Sequence, residues 1–120
     1  MGIQIFGSRK CAVSRKAERF FKERDVPYQF VDLADTGISP GELEALRRAA
    51  GTDGLLDTDG ARYKKRGLAY MDIDPVEEIL ADPLLLRTPA VRNGADAVLG
   101  DQAEGWARMA AAFKDAHKPG

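Results

Sequence analysis

The sequence predicts an α/β fold in which a single domain, residues 1–120, is built around a mixed four-stranded sheet. The first observation is a strand–helix–strand pattern, in which apolar residues 3–6 and 28–33 flank a segment whose apolar side chains recur at helical spacing. Two strands joined by one helical crossover are parallel. The second observation is a pair of short apolar runs around Asn93-Gly94, a turn sequence typical of antiparallel hairpins.

The first helix follows Cys11 and ends near residues 24–25, because Pro27 cannot continue a helix. Charged side chains occupy one of its faces, as expected for a helix that packs against a sheet on the other. The buried face comprises the apolar residues at helical spacing, namely Val13, Ala17, Phe20 and Phe21.

A helical insertion is predicted between the second strand and the hairpin. Ser39-Pro40 and Asp74-Pro75 each place an N-cap residue before a proline, with a glutamate three residues after the cap, which is a helix start signal. A shorter helix is expected around Tyr63. The residues expected on the buried faces of the two longer helices are Leu43, Leu46, Ile79 and Leu80.

The C-terminal part is predicted to contain strands at 90–92 and 96–99, with Asn93-Gly94 as the turn, and a last helix. Asp101 followed by Glu104 indicates the cap of that helix. Its buried stripe comprises Trp106, Met109, Ala110 and Phe113. The resulting order, β-α-β, helical insertion, β-β-α, is that of the thioredoxin-like fold.

The composition argues against several classes of function. The balance of 18 basic and 19 acidic residues gives a net charge of −1, which predicts no direct binding to nucleic acid. No apolar run approaches the about 20 residues that cross a membrane, and the first residues do not resemble a signal peptide. One cysteine excludes an internal disulfide, and one histidine leaves too few ligands for a zinc site, so no bound metal is expected. We expect a cytoplasmic monomer.

Cys11 lies where the first strand turns into the first helix. A cysteine at a helix N-terminus faces unpaired backbone N–H groups and the positive end of the helix dipole. Arg9, Lys10 and Arg15 lie close in sequence, and Ser14 places a hydroxyl within reach of the sulfur. These influences favour the thiolate, so we expect the pKa of Cys11 to lie below its usual value. The alternative is a cysteine that acts only as a small buried hydrophobic side chain.

Three segments carry a family resemblance. Residues 11–17 read C-A-V-S-R-K-A, residues 55–65 read L-L-D-T-D-G-A-R-Y-K-K, and residues 82–89 read D-P-L-L-L-R-T-P. In the same order they resemble the C-x-x-C/S-R-K-A, L-L-N-T-R-G-x-x-Y-R-K and P-L-L-L-R-R-P segments of the arsenate reductase (ArsC) and Spx-like family. The resemblance covers nearly the whole chain and implies the same thioredoxin-like fold.

The resemblance also implies roles for individual residues. In the family's arsenate reductases a cysteine attacks the oxyanion, and glutathione, often with glutaredoxin, or thioredoxin supplies the electrons without a bound cofactor. Carried over to this chain, Cys11 is the nucleophile. Ser14 and Arg15 are then expected to stabilise its thiolate and the bound anion.

Two arginines of the family pattern are missing. Asp59 stands in place of the arginine of T-R-G, and Thr88 in place of the arginine directly before the proline. An aspartate repels an anion, so oxyanion contacts would have to come from Arg62, Arg87 or Arg92. Alternatively, these arginines are solvated surface charges. The missing arginines leave a non-catalytic accessory protein as a further alternative.

Thr88-Pro89 resembles the Thr-Pro loop of thioredoxins and glutaredoxins, which faces the active cysteine. The loop of Arg87, Thr88 and Pro89 is therefore expected to contact the substrate, with a cis Thr88-Pro89 bond and Thr88 close to Cys11. This loop favours a thiol or disulfide substrate over a small oxyanion.

Two classes of function follow from the resemblance. The first is a thiol-dependent oxidoreductase, with arsenate reduction as the nearest named reaction. The second is an Spx-like transcriptional regulator that binds the RNA polymerase α-subunit and uses its cysteines as a redox switch. Ser14 stands in place of the second cysteine and removes the disulfide form of that switch, which favours the enzyme.

Overall fold

The computed structural model describes residues 2–116. Its strands are β1 (Ile3–Gly7), β2 (Tyr28–Asp32), β3 (Ala90–Asn93) and β4 (Asp96–Leu99). Its α-helices are α1 (Ala12–Glu23), α2 (Leu33–Thr36), α3 (Pro40–Ala50), α4 (Ala61–Lys65), α5 (Pro75–Ala81) and α6 (Ala103–Ala116). Short 3₁₀ turns occupy Thr52–Gly54, Leu68–Tyr70 and Pro83–Leu85. The order of elements is the predicted one.

The four strands form one mixed sheet in the order β2-β1-β3-β4, as predicted. β1 and β2 are parallel, with Gly7 opposite Asp32 at the end of the sheet that leads to α1. β3 is antiparallel to β1, with Phe6 opposite Ala90, and β4 is antiparallel to β3. The segment after β1 and the segment before β3 therefore lie at the same end of the sheet.

The sheet separates two apolar cores, because successive strand residues point to opposite faces. Ile5 packs in the core formed with α1 and α6, whereas its neighbour Phe6 packs in the core formed with the helical insertion. α6 approaches β4 closely at Gly105, where an added Cβ would lie 2.7 Å from Val98 Cγ1. The predicted helix faces are confirmed except at Leu80, since the side chains of Ala17, Phe21, Leu43, Leu46, Trp106 and Met109 are fully buried.

The predicted start signals of the two insertion helices are confirmed. Ser39 Oγ accepts from the Glu42 N–H at 3.1 Å, and the Ser39 N–H donates to Glu42 Oε1 at 3.0 Å, which is a complete capping box for α3. Asp74 caps α5 by accepting from the Val76 N–H at 3.0 Å. These local bonds satisfy N–H groups that a helix leaves unpaired.

Two predictions about element faces and ends were wrong. Leu80 is 36% exposed, because it lies about 100° around α5 from the buried Ile79. Leu33 begins α2 instead of ending β2, because the Asp32 side chain caps that short helix.

The cap predicted for α6 was also wrong. The first helical hydrogen bond runs from the Trp106 N–H to Gln102 O at 3.0 Å, so Gln102 occupies the N-cap position. The Asp101 carboxylate instead accepts from Lys16 Nζ of α1 at 2.9 Å. The Asp101 side chain, predicted to cap α6, is therefore bound by Lys16 of the neighbouring helix α1.

The hairpin turn lies one residue later than predicted. Asn93 pairs with Asp96, so the two turn residues are Gly94 and Ala95. Gly94 has a φ of 62° at the first turn position, which is where a type II′ turn requires glycine. Because β3 also pairs with β1, the sheet register selects this turn over the Asn-Gly alternative.

Candidate active site

Cys11 occupies the N-cap position of α1, shortly after β1 ends at Gly7. Its backbone is extended, with a φ of −85° and a ψ of 119°. The Cys11 N–H donates to Ser8 O at 3.0 Å, and the Arg15 N–H donates to Cys11 O at 3.2 Å. This half-buried residue therefore places its thiol at the positive end of the helix dipole.

Two hydroxyl groups approach the Cys11 sulfur from different elements. Thr88, two residues before β3, donates through Oγ1 to Cys11 Sγ at 3.5 Å. Ser14, in the first turn of α1, has no exposed surface, and its hydroxyl is the group that lowers the pKa of the sulfur most. The Ser14 oxygen accepts in turn from the Ser8 N–H at 3.3 Å. The thiol is thus held by side chains from α1 and from the loop before β3.

Burial by itself raises the pKa of the Cys11 thiol, but hydrogen bonds outweigh burial and hold this pKa below its usual value. The groups that lower it are, in order of effect, the Ser14 hydroxyl, the Thr88 hydroxyl and the backbone N–H groups of Ser14 and Val13. Each bond favours the charged form of the sulfur. The direction of the shift agrees with the prediction.

The basic residues near Cys11 in sequence do not contribute to its lowered pKa, contrary to the prediction. Arg9 Nη1 lies 3.3 Å from Asp32 Oδ2, and its guanidinium lies 5.8 Å from the Phe30 ring centre. Arg15 is exposed and has no side-chain partner within residues 2–116. No cation is among the groups that lower the pKa of Cys11. Proximity in sequence did not bring these charges to the sulfur, because their long side chains extend to other partners or to solvent.

The loop before β3 lies where the sequence placed it. The Thr88-Pro89 peptide bond is cis, and Thr88 contacts Cys11, as predicted. Pro89 O accepts from the Gly100 N–H at 2.9 Å, which joins the loop to the residue after β4. Cys11 and Thr88 are 77 residues apart in sequence and meet because β1 and β3 are neighbours in the sheet.

Arg87 lies next to Thr88, but its side chain is bound to the insertion. Arg87 Nη2 donates to Leu56 O at 3.1 Å, and its backbone N–H donates to Leu55 O at 2.7 Å. Its aliphatic stem packs on Gly100, where the φ is 87° and an added Cβ would lie 3.4 Å from Arg87 Cδ. Arg87 and residues 97–102 line a cavity of about 460 Å³.

The other candidate arginines have partners away from Cys11. Arg62 Nε donates to Asp82 at 2.8 Å, which joins α4 to the end of α5. Arg92 donates to Gln4 Oε1 at 3.2 Å and to Gly94 O at 2.8 Å, at the turn end of β3. Asp59 is exposed in the turn before α4. The structure therefore brings Cys11, Ser14 and Thr88 together and places Arg62 and Arg92 elsewhere.

Sequence reasoning missed three features of this site. The backbone N–H of Ser8 holds the Ser14 hydroxyl, and no side-chain pattern encodes a backbone donor. Gly7 lies against Ser14, and a glycine at the end of a strand does not by itself indicate which side chain approaches it. Thr88 was expected near Cys11, but its hydroxyl was not identified as a hydrogen-bond donor to the sulfur.

Replacing Thr88 with valine is expected to slow alkylation of Cys11 by iodoacetamide near pH 7 by about threefold or more, because one hydrogen bond to the thiolate is lost. The pH profile of the rate should move to higher pH, since the pKa of Cys11 rises. Thr58→Val is the matched control, because Thr58 is exposed and has no hydrogen-bond partner within the described chain. An unchanged profile in Thr88→Val would contradict the assignment.

The fold and the placement of its only cysteine define a class of protein. A mixed sheet of this order, with Cys11 starting α1 beside a cis-proline loop, is that of a thioredoxin-like protein. Within that class, the chain belongs to the ArsC family, whose family model matches residues 6–109.

Individual relatives agree with this family. The chain is 28% identical over 97 residues to the global transcriptional regulator Spx of Staphylococcus haemolyticus, which covers 74% of this chain and 72% of that protein. It superposes on the YffB protein with a TM-score of 0.80 at 24% identity, covering 89% of this chain and 97% of that one. It superposes on an arsenate reductase from Vibrio cholerae with a TM-score of 0.77 at 20% identity, covering 91% and 98%.

Residues 2–116 contain neither a membrane-spanning helix nor a cluster of metal ligands. None of the helices in this part of the chain has the length and apolar character needed to span a membrane. The same residues contain no group of three or more His, Cys, Asp or Glu side chains arranged to hold a metal ion.

Proposed function

We propose that this chain is a thiol-dependent oxidoreductase in which the Cys11 thiolate is the nucleophile. The observation that carries the proposal is the hydrogen bond from the Thr88 hydroxyl to the Cys11 sulfur, which favours the thiolate together with the buried Ser14 hydroxyl. A cysteine that only fills space in the core needs no such donors, whereas a nucleophilic thiolate is stabilised by them.

The proposed reaction requires only one cysteine of this chain, because external thiols supply the electrons. The Cys11 thiolate attacks one sulfur of a disulfide, forms a mixed disulfide and releases the other half as a thiolate. An external thiol, from glutathione, glutaredoxin or thioredoxin, then attacks the substrate sulfur of the mixed disulfide, which releases the Cys11 thiolate and leaves the donor joined to the substrate half. A second external thiol attacks the donor sulfur of that disulfide and releases the substrate half as a thiolate. For each substrate disulfide that is fully reduced, two external thiols give up two electrons and end as one disulfide.

The arginine contacts support a thiol or disulfide substrate over a small oxyanion. A tetrahedral oxyanion is held best by several guanidinium groups that converge on it. Here Arg62 is bound to Asp82, Arg87 to Leu56 O and Arg92 to Gln4. Thr88 supplies a neutral hydroxyl beside Cys11 instead of a cation. Arsenate reduction remains the nearest named reaction of the family and is the comparison that the experiment needs.

The experiment is a turnover assay with two oxidised substrates. Purified protein is given either 2-hydroxyethyl disulfide or arsenate, with glutathione, glutaredoxin and glutathione reductase, and NADPH consumption is followed. We expect turnover above the protein-free background with the disulfide and slower turnover with arsenate. Turnover with neither substrate, with thioredoxin tested in place of glutaredoxin as well, would refute the enzyme proposal. Faster turnover with arsenate would refute the proposed substrate class.

A second candidate function is a redox-responsive transcriptional regulator, favoured by the 28% identity to a protein named global transcriptional regulator Spx. Under this proposal the chain binds the RNA polymerase α-subunit, and modification of Cys11 changes the affinity. Calorimetry with purified α-subunit, before and after Cys11 is oxidised by glutathione disulfide, tests it. Binding that depends on the oxidation state of Cys11 would favour the regulator. Absence of binding would favour the oxidoreductase proposed above.

A further inference from the structure

Gly7, the last residue of β1, lies against the side chain of Ser14. A Cβ added to Gly7 would collide with Ser14 Oγ and would lie 3.0 Å from Ser14 Cβ and 3.6 Å from Phe30 Cε2. Gly7 is not among the glycines with a positive φ, so its backbone would accept an alanine without strain. The close approach of Ser14 is therefore what requires a glycine here.

The Ser14 hydroxyl is enclosed and is held by a backbone donor. Its side chain is fully buried, and its oxygen accepts from the Ser8 N–H at 3.3 Å. A serine hydroxyl can accept a hydrogen bond through its oxygen and donate one through its hydrogen. Because the Ser14 oxygen accepts from the Ser8 N–H, the hydroxyl hydrogen is available for the Cys11 sulfur. A displaced oxygen would lose the Ser8 bond, the Cys11 bond or both.

We propose that Gly7 is a positioning residue for Cys11, whose missing side chain lets the Ser14 hydroxyl lie between the Ser8 N–H and the Cys11 sulfur. The inference rests on the proposed function, in which Cys11 acts as a thiolate nucleophile. Gly7 does not touch the reacting sulfur and acts only through Ser14. A residue at the end of β1 thereby affects the reactivity of the Cys11 thiol at the start of α1.

The test measures the rate of iodoacetamide alkylation against pH, which reports on Cys11 alone because the chain has one cysteine. Gly7→Ala is expected to slow alkylation near pH 7 by about fivefold to tenfold and to move the pH profile to higher pH, since a bond to a charged group is lost. Gly41→Ala is the matched control, because a Cβ there meets nothing within 4 Å. We expect its profile to match the wild type.

A double variant separates positioning from a merely structural effect. Ser14→Gly removes both the hydroxyl and the Cβ that an alanine at position 7 would meet. If Gly7 acts through Ser14, Gly7→Ala/Ser14→Gly should have the same pH profile as Ser14→Gly alone. Both substitutions then remove the same interaction, that of the Ser14 hydroxyl with the Cys11 thiolate. Additive slowing in the double variant, or a wild-type profile in folded Gly7→Ala, would overturn the proposal.

The folded state of each variant is checked by circular dichroism and thermal unfolding. If Gly7→Ala does not fold, folding of the double variant would support the proposal, since removing the Ser14 side chain then relieves the contact. Failure of both to fold would overturn it, because the glycine would be required for another reason. Alkylation needs no oxidised substrate, so a chain that shows the shift without redox turnover would refute the proposed function and leave the positioning role standing.

Discussion

Cys11→Ser is expected to abolish thiol-dependent turnover, with a loss of at least about 10³-fold, because a serine hydroxyl is far less ionised than a thiol near neutral pH. The Ser14 and Thr88 hydroxyls that stabilise the thiolate cannot compensate for this difference. The measurement is NADPH-coupled disulfide reduction, together with mass spectrometry for the mixed disulfide. The variant should form no adduct with glutathione disulfide, since Cys11 is the only cysteine.

Arg92→Ala is a control for this loss, because Arg92 lies at the turn end of β3, bound to Gln4 and Gly94. We expect it to keep the wild-type rate within about twofold, as for a substitution remote from the site. Cys11→Ser should also keep the wild-type melting temperature, since serine is nearly the same size and the residue is half-buried. Residual turnover in Cys11→Ser would assign the activity to a contaminant or to another group and would contradict the mechanism.

Trp106→Ala is expected to lower the free energy of unfolding by about 3–5 kcal/mol, the usual cost of deleting a large buried aromatic side chain. Trp106 has no exposed surface and packs edge-on against Phe20, with ring centres 5.7 Å apart. A domain of this size is stable by about 5–15 kcal/mol, so the loss is a large share of the total. The measurement is urea unfolding followed by circular dichroism.

Trp106→Phe is the matched variant for this prediction. It keeps a ring against Phe20 and removes the indole N–H, which is buried without a hydrogen-bond partner in the described chain. Because no hydrogen bond is lost, we expect Trp106→Phe to cost clearly less than Trp106→Ala. Equal decreases in the free energy of unfolding of the two variants would show that the aromatic contact does not stabilise the packing of α6 against α1. The Lys16–Asp101 ion pair is exposed on both sides and cannot replace it.

The sequence alone determined the elements and their order, because the signals for these are local. Helical spacing marked α1 and α6, the Ser39–Glu42 capping box marked the start of α3, and the strand–helix–strand pattern implied the parallel pair. The position of Cys11 at the start of α1 followed directly from these elements. The hairpin was predicted, but its turn was misplaced by one residue, because Asn93-Gly94 and Gly94-Ala95 both satisfy local turn preferences.

Only the tertiary structure decided which group acts on the Cys11 sulfur besides the neighbouring Ser14. The expectation from sequence was that the Ser14 hydroxyl and nearby cations would lower its pKa, and the side chains that do so are the Ser14 and Thr88 hydroxyls and no cation. Thr88 is 77 residues away, and no local pattern states which of its atoms faces the thiol. The pairing of Arg62 with Asp82 is likewise a contact between helices. Hydrogen bonds and ion pairs depend on distances of a few ångströms, which the packing of β1, β3 and the insertion sets and residue spacing does not.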